Sequence, residues 1–192
     1  MIEQPFGVTV ICASKNEEVD IQALLRSYVI EAEDNSELII IDDSTDGTRQ
    51  VVKNFMRQNP TVDMRLLEGN ATGCCDARNK GMRNAKYSHI SFMTADSQFP
   101  ENYFEMVMEK FKRYGSKTLM FDSFVVNQEK LPARFLHCWH ENKKKKRGTA
   151  FSPLTTQGYC VELVAASKVG FIDTFKTDFN VCRDWTLVKK MD

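Results

Sequence analysis

The chain has 192 residues, 42% of them hydrophobic, which suits one domain with a sizeable core rather than two. Lysine plus arginine equal aspartate plus glutamate at 26 each, so no net field draws the chain to nucleic acid or an anionic membrane, and any partner must be recognised locally. No apolar run approaches the ~20 residues that cross a bilayer, and the start, MIEQPFGVTV, lacks the basic head and apolar core of a secretion signal, so the expectation is a soluble, cytoplasmic protein without a transmembrane segment.

Taken in order, Val8 to Cys12, VTVIC, reads as a first strand rich in β-branched residues. Ser14 with Glu17 forms an S-x-x-E capping box, and Ile21, Leu24, Leu25, Tyr28 and Val29 then fall on one helical face. The intervening turn, Ala13 to Asn16, has no glycine, and no GxxxxGK[ST] occurs anywhere. A nicotinamide or flavin site and a P-loop ATPase or kinase are therefore disfavoured. Leu38 to Thr48, LIIIDDSTDGT, is the most informative stretch. Four apolar residues fit a strand buried on both faces, and the run stops at two adjacent carboxylates. Turn chemistry from Ser44 to Gly47 leads into a helix capped near Ser44 or Asp46, with Val51, Val52, Phe55 and Met56 inward. Asp42 and Asp43 thus stand at the carboxyl edge of a strand, where open α/β sheets bind polar ligands such as nucleotides. That they merely cap the turn is the open alternative.

Pro60 breaks the chain, and Met64 to Leu67 gives a short third strand. Cys75 to Ala85 reads as a helix carrying Arg78, Asn79 and Lys80 near its beginning, aimed at the same sheet edge. His89 to Met93 is the next strand, ending in Thr94, Ala95, Asp96 and Ser97, so a second acid reaches that edge. A helix from Tyr103 ends by Gly115, and Thr118 to Phe121 is a further strand. This alternation predicts right-handed crossovers and a mostly parallel sheet. Lys143 to Arg147, KKKKR, reads as a solvated loop, with a cationic flap over phosphate or an acidic acceptor as the alternative. Gly158 to Val164 is predicted as a strand, and Arg183, Asp184 and Trp185 open a short terminal helix. His137 and His140 are read as packing or surface residues rather than metal ligands, since imidazole suits a hard cation less than oxygen. Six cysteines without paired CxxC spacing read as free thiols, several of them buried (Cys12, Cys160, Cys182), with the vicinal pair Cys74 and Cys75 as the exception to watch.

The ordered set VTVICASKNEE, LIIIDDSTDGT, DARNKGMRNA, ISFMTADSQFP, VGFIDTF and RDW resembles the GT-A family 2 glycosyltransferases over nearly the whole chain. The resemblance implies a single α/β, Rossmann-like GT-A domain over 1–192, with a mostly parallel central sheet flanked by helices and a small antiparallel C-terminal extension. Residues 1–100 would form the nucleotide-binding half and 101–192 the acceptor-side half. It further implies transfer of a sugar from a nucleoside-diphosphate sugar, with a UDP-sugar as the expected donor, to a glycan or other hydroxyl acceptor, with inversion and with Mn2+ or Mg2+ as cofactor. Residue by residue, Asp43 matches the acid that reads uracil, with Asp42 beside it, and Ala13, Ser14 and Lys15 match the segment packing around the nucleoside. Arg78 matches the arginine near the diphosphate, Ala95 lies within the metal motif on the nucleotide side, Asp96 matches the last acid of that motif, and Asp184 matches the base.

Three departures shape the expectation. Thr94 stands where the metal motif has its first acid, and Arg183 stands where a glutamate precedes the catalytic aspartate. The chain also ends just after RDW, as the N-terminal part of a longer protein would. A single carboxylate with phosphate oxygens and water is nonetheless adequate for Mg2+. A catalytically degenerate nucleotide-sugar-binding module and a nucleotidyltransferase with a similar sheet remain as alternatives, the latter weakened by the glycine-free first turn.

Overall fold

A computed structural model describes residues 4–121 and 159–168. In chain order the elements are β1 (Val8–Ser14), α1 (Ile21–Glu31), β2 (Ser36–Asp42), α2 (Thr48–Gln58), β3 (Met64–Glu68) and α3 (Cys74–Arg83), followed by β4 (His89–Thr94), α4 (Tyr103–Tyr114), β5 (Thr118–Met120), β6 (Tyr159–Glu162) and α5 (Leu163–Lys168). One sheet in the order β3-β2-β1-β4-β6-β5 holds every strand among the described residues. The pairings β2 to β3, β1 to β2 and β1 to β4 are parallel, and β6 is antiparallel to both β4 and β5. This is the mostly parallel α/β sheet with a small antiparallel extension that the sequence predicts.

The run of isoleucines in β2 is explained by cover on both faces. Leu38 and Ile40 pack in one cluster with Leu24, Leu25 and Tyr28 of α1, Val52 of α2 and Phe104 and Val107 of α4. Ile39 and Ile41 pack in the other with Met82 of α3, Phe92 of β4 and Leu163 of α5. Each such side chain, fully buried, contributes about 1.5–3 kcal/mol of transfer free energy. The α3 helix lies close on its face because Gly81 has no side chain. A Cβ there would stand 2.6 Å from Ile11 Cγ2 and 3.0 Å from Ile41 Cδ1.

Two element boundaries differ from the sequence expectation. Ser14 does not open a capping box; it is the last residue of β1, buried and in register with Asp42. Strand pairing wins over the local capping signal, and α1 begins only at Ile21, whose amide donates to the Glu17 carbonyl at 3.0 Å. The expected strand Gly158 to Val164 is shorter, because β6 ends at Glu162 and Leu163 starts α5, where Val164 is exposed. Cys12, Cys74 and Cys160 are free thiols, but Cys75, one of the vicinal pair set apart in the sequence, is disulfide-bonded, a correction to the free-thiol reading there. Local spacing carries no information on a bridge between separated segments. The lysine run 143–147, His137, His140, Cys182, Arg183, Asp184 and Trp185 lie outside the described residues. Among the described residues, no helix is long and apolar enough to cross a membrane.

Candidate functional site

The parallel register brings four strand ends to one line. Ser14 pairs with Asp42, Asp42 with Glu68, and Ala13 with Thr94. From β1 the chain moves outward to β2 and β3, then crosses back to β4 on the opposite side of β1. The loops leaving β1 and β4 therefore diverge, and such a switch point opens a crevice at the carboxyl edge of an α/β sheet.

Two loops beside this crevice are stitched together. Asn16 adopts a left-handed backbone with φ 59°, a conformation that asparagine tolerates better than most residues. Its amide donates to Ser44 Oγ at 2.8 Å, and its Oδ1 accepts the Thr45 amide at 2.9 Å. The Glu17 amide donates to Thr48 Oγ1 at 2.9 Å, and the Gly47 amide to Glu18 Oε2 at 3.3 Å. Asp46 takes the Thr48 amide at 3.0 Å, as expected of an acid before a helix, and the Thr48 bonds hold its carboxyl below the usual range.

The two adjacent acids have different surroundings. Asp42 is fully buried; its Oδ1 accepts the Ser44 hydroxyl at 2.6 Å and its Oδ2 accepts Arg49 Nε at 3.1 Å. Asp43 is half-buried. Its amide donates to the Ser14 carbonyl at 3.0 Å, and its Oδ1 accepts the Ala71 amide at 2.8 Å. The loop after β3 can lie against this carboxylate because residue 69 is glycine, where a Cβ would collide with the Asp43 oxygens. Gly69, Ala71 and Arg49 are participants that sequence reasoning missed. The only available signal was the glycine just beyond a strand end.

At the end of β4, Thr94 Oγ1 and Ser97 Oγ lie 2.7 Å apart and the Ser97 amide donates to the Thr94 carbonyl at 3.0 Å. Thr94 closes a turn, Ala95 is buried, and Asp96 is left exposed at the tip. Partial burial raises the Glu17 carboxyl above its usual range, with the Asp96 charge the next cause, followed by Asp20 and Asp46. The charge of Asp96 thus reaches Glu17, which gives Glu17 a place near the carboxyl edge that the capping reading did not foresee. Lys15 is exposed, Ala13 half-buried, and Ser14 Oγ buried without a hydrogen-bond partner among the described residues.

Arg78 and Asn79 are buried on α3, with the Arg78 guanidinium carbon 5.9 Å from the centre of the Phe92 ring. Its charge is felt by Cys12, whose thiol burial nonetheless pushes up to about 12. A thiol so protonated is no nucleophile at neutral pH. Among the described residues no three His, Cys, Asp or Glu side chains are grouped to hold a metal. Asp96 offers one exposed carboxylate, a donor that fits a hard divalent cation completing its shell with phosphate oxygens and water.

A family model described as glycosyl transferase family 2 matches residues 9–173. TuaG of Bacillus subtilis, named as a glycosyltransferase of teichuronic acid biosynthesis, is 30% identical over 103 residues, 53% of this chain and 40% of that protein. The poly-beta-1,6-N-acetyl-D-glucosamine synthase of Staphylococcus epidermidis is 27% identical over 114 residues, 58% of this chain and 27% of that protein. The chain thus spans well under two thirds of the curated relatives it matches. TarS 1-349 of S. aureus in complex with UDP-GlcNAc superposes with a TM-score of 0.72 at 17% identity, covering 97% of this chain and 53% of that one. The mannosyltransferase PcManGT of Pyrobaculum calidifontis, in complex with GDP-Man and Mn2+, superposes at 0.70 with 19% identity, covering 99% and 54%. At these identities the likeness shows a shared fold.

Proposed function

The chain belongs to glycosyl transferase family 2, and from that premise we propose that it transfers a sugar from a UDP-sugar to a glycan or other hydroxyl acceptor, with inversion and with help from Mn2+ or Mg2+. The observation that carries this reading is the pairing of Asp43, tied through Oδ1 among the described residues, with exposed Asp96 at the same carboxyl edge.

In this reading Asp43 Oδ2 accepts the uracil imide N–H, which cytosine lacks at that position. Ala13, Ser14 and Lys15 line the nucleoside, and the unpaired Ser14 hydroxyl is a ready partner for its polar atoms. Asp42 serves as the support behind Asp43. Arg78 offsets diphosphate charge, as guanidinium groups do. Asp96, next to Ala95, holds the divalent cation, which when bound neutralises charge building on the departing diphosphate. Asp184, outside the described residues, takes the acceptor proton on the face opposite the leaving group, as in-line displacement requires.

The test is slow hydrolysis of UDP-sugars with Mn2+ in the absence of acceptor, together with a thermal-shift panel of nucleotide sugars. A ligand that binds only the native state raises the melting temperature with its concentration. Hydrolysis that requires the metal supports the reading, and indifference to EDTA overturns the metal assignment. One observation favours a second reading, a binding module without turnover. Thr94, in the place of the first metal-motif acid, is spent on Ser97. Donor binding without any hydrolysis would select that reading.

A further inference from the structure

We propose that Arg49 is a positioning residue for nucleobase recognition, locking the peptide that presents Asp43; the proposal rests on the reading of Asp43 as the base-contacting acid. Arg49 is the second residue of α2, and its guanidinium is used in three directions. Nε donates to Asp42 Oδ2 at 3.1 Å, Nη2 to the Asp42 carbonyl at 3.1 Å, and Nη1 to Glu68 Oε1 at 3.2 Å. Two arms of the fork thus hold one residue by side chain and backbone at once, a geometry that a planar guanidinium supplies and an ammonium does not.

The carbonyl so held belongs to the peptide joining Asp42 to Asp43. It also accepts the Gly69 amide at 2.9 Å, while the other end of that peptide, the Asp43 amide, donates to the Ser14 carbonyl at 3.0 Å. The peptide is therefore clamped from β1, from the loop after β3 and from α2. The first two clamps are backbone hydrogen bonds. Arg49 is the side-chain clamp, and through Glu68 it also ties the end of β3 to the same point. Asp42 is fully buried, so its charge needs this partner. Asp43 Oδ1 accepts the Ala71 amide, so once the peptide is locked that bond limits where Oδ2 can point. A carboxylate that must tell uracil from cytosine by one hydrogen bond depends on that direction.

The experiment measures UDP and CDP affinities by calorimetry for the parent chain, Arg49→Lys and Glu68→Gln. Arg49→Lys keeps the charge and loses the fork. The expected result is UDP binding weaker by about tenfold, the scale of one charge-assisted hydrogen bond, with CDP binding little changed, so that the ratio of the two affinities collapses. Glu68 is exposed, so Glu68→Gln is a mild change and is expected to lower the ratio less, in the same direction. A merely structural role would weaken both nucleotides alike and leave the ratio intact. An Arg49→Lys protein that discriminates as the parent does overturns the proposal alone. Should Arg49→Lys fail to fold, an unchanged ratio in Glu68→Gln overturns it equally. A parent that does not prefer UDP to CDP overturns the reading of Asp43 and the proposal with it.

Discussion

A carboxylate that recognises a base must be held firmly without having both oxygens spent, and Asp43 meets both conditions where its neighbour does not. Asp42 is buried with both oxygens bonded, whereas among the described residues Asp43 is tied through Oδ1 alone. Asp43→Ala is expected to weaken UDP binding and blunt its preference over CDP, read by titration calorimetry; unchanged affinity and selectivity would remove the assignment. Asp96→Asn is expected to raise the Mn2+ concentration that gives half-maximal UDP-sugar hydrolysis, because the amide is a poorer ligand for a hard cation. For Asp184→Asn, donor binding is expected to stay near the parent value while transfer to an acceptor falls by about 10^2- to 10^4-fold. Transfer at the parent rate would redirect the search to Asp173 and Asp178. Asp43 and Asp96 were legible in sequence because a strand that stops in acid is visible as a pattern. Arg49 and Gly69 were not, since their roles depend on distances between segments that no local period encodes.

Among the elements, α3 shows how a single missing side chain sets a site. Gly81 lets the helix settle on Ile11 and Ile41, and this same seating places Arg78 over Phe92. Gly81→Ala, favourable for an isolated helix, is expected to destabilise the protein by about 1–3 kcal/mol, because the neighbours are side chains of a close-packed core. Urea denaturation measures it, and a stabilised variant would show that the helix can lift without cost. β2 was legible because burial on two faces writes an unbroken apolar run. The start of α1 was misjudged at Ser14 and Glu17 for an equally physical reason. The capping pattern is a local preference worth about 1 kcal/mol, and it yields to the hydrogen bonds that extend β1 alongside β2.

On the scale of the whole molecule the two edges of the sheet are treated differently. At the amino edge, Glu37 is fully buried yet satisfied by the Thr9 hydroxyl, Arg65 and the Lys86 amide. The charge of Glu37 is closed inward, while at the carboxyl edge the carboxylate of Asp96 is exposed. His89, near the amino edge, lies 4.1 Å from the Phe111 ring and 5.1 Å from the Phe6 ring, centre to centre. Burial lowers its pKa from the ordinary 6.5, against an opposing pull from Glu162 and the bond to Gly7. The unfolded chain then binds the proton more readily than the folded one, so the stability due to neutral His89 is intact above about pH 6.5 and is lost as the pH falls below it. His89→Phe is expected to flatten the urea midpoint between pH 7.5 and pH 5, and an unchanged slope would assign the acid sensitivity elsewhere. The order of strands was legible only as an alternation of strand and helix. That β1 lies between β2 and β4 was not, because the choice between two sheet orders is made by packing of distant segments.

That central place of β1 has a consequence for synthesis. The strand leaves the ribosome before the other strands of this sheet, yet one of its two neighbours, β4, is not made until residues 89–94. Once β2 is made, the β1-β2 pair still has one flank of β1 bare until β4 arrives, a row of unpaired amides and carbonyls of the kind that recruits strands from other chains. The interval is long enough, at about 5–20 residues per second, to last several seconds. The strand that organises the sheet is thus also the one that waits longest, in chain length, for its second neighbour.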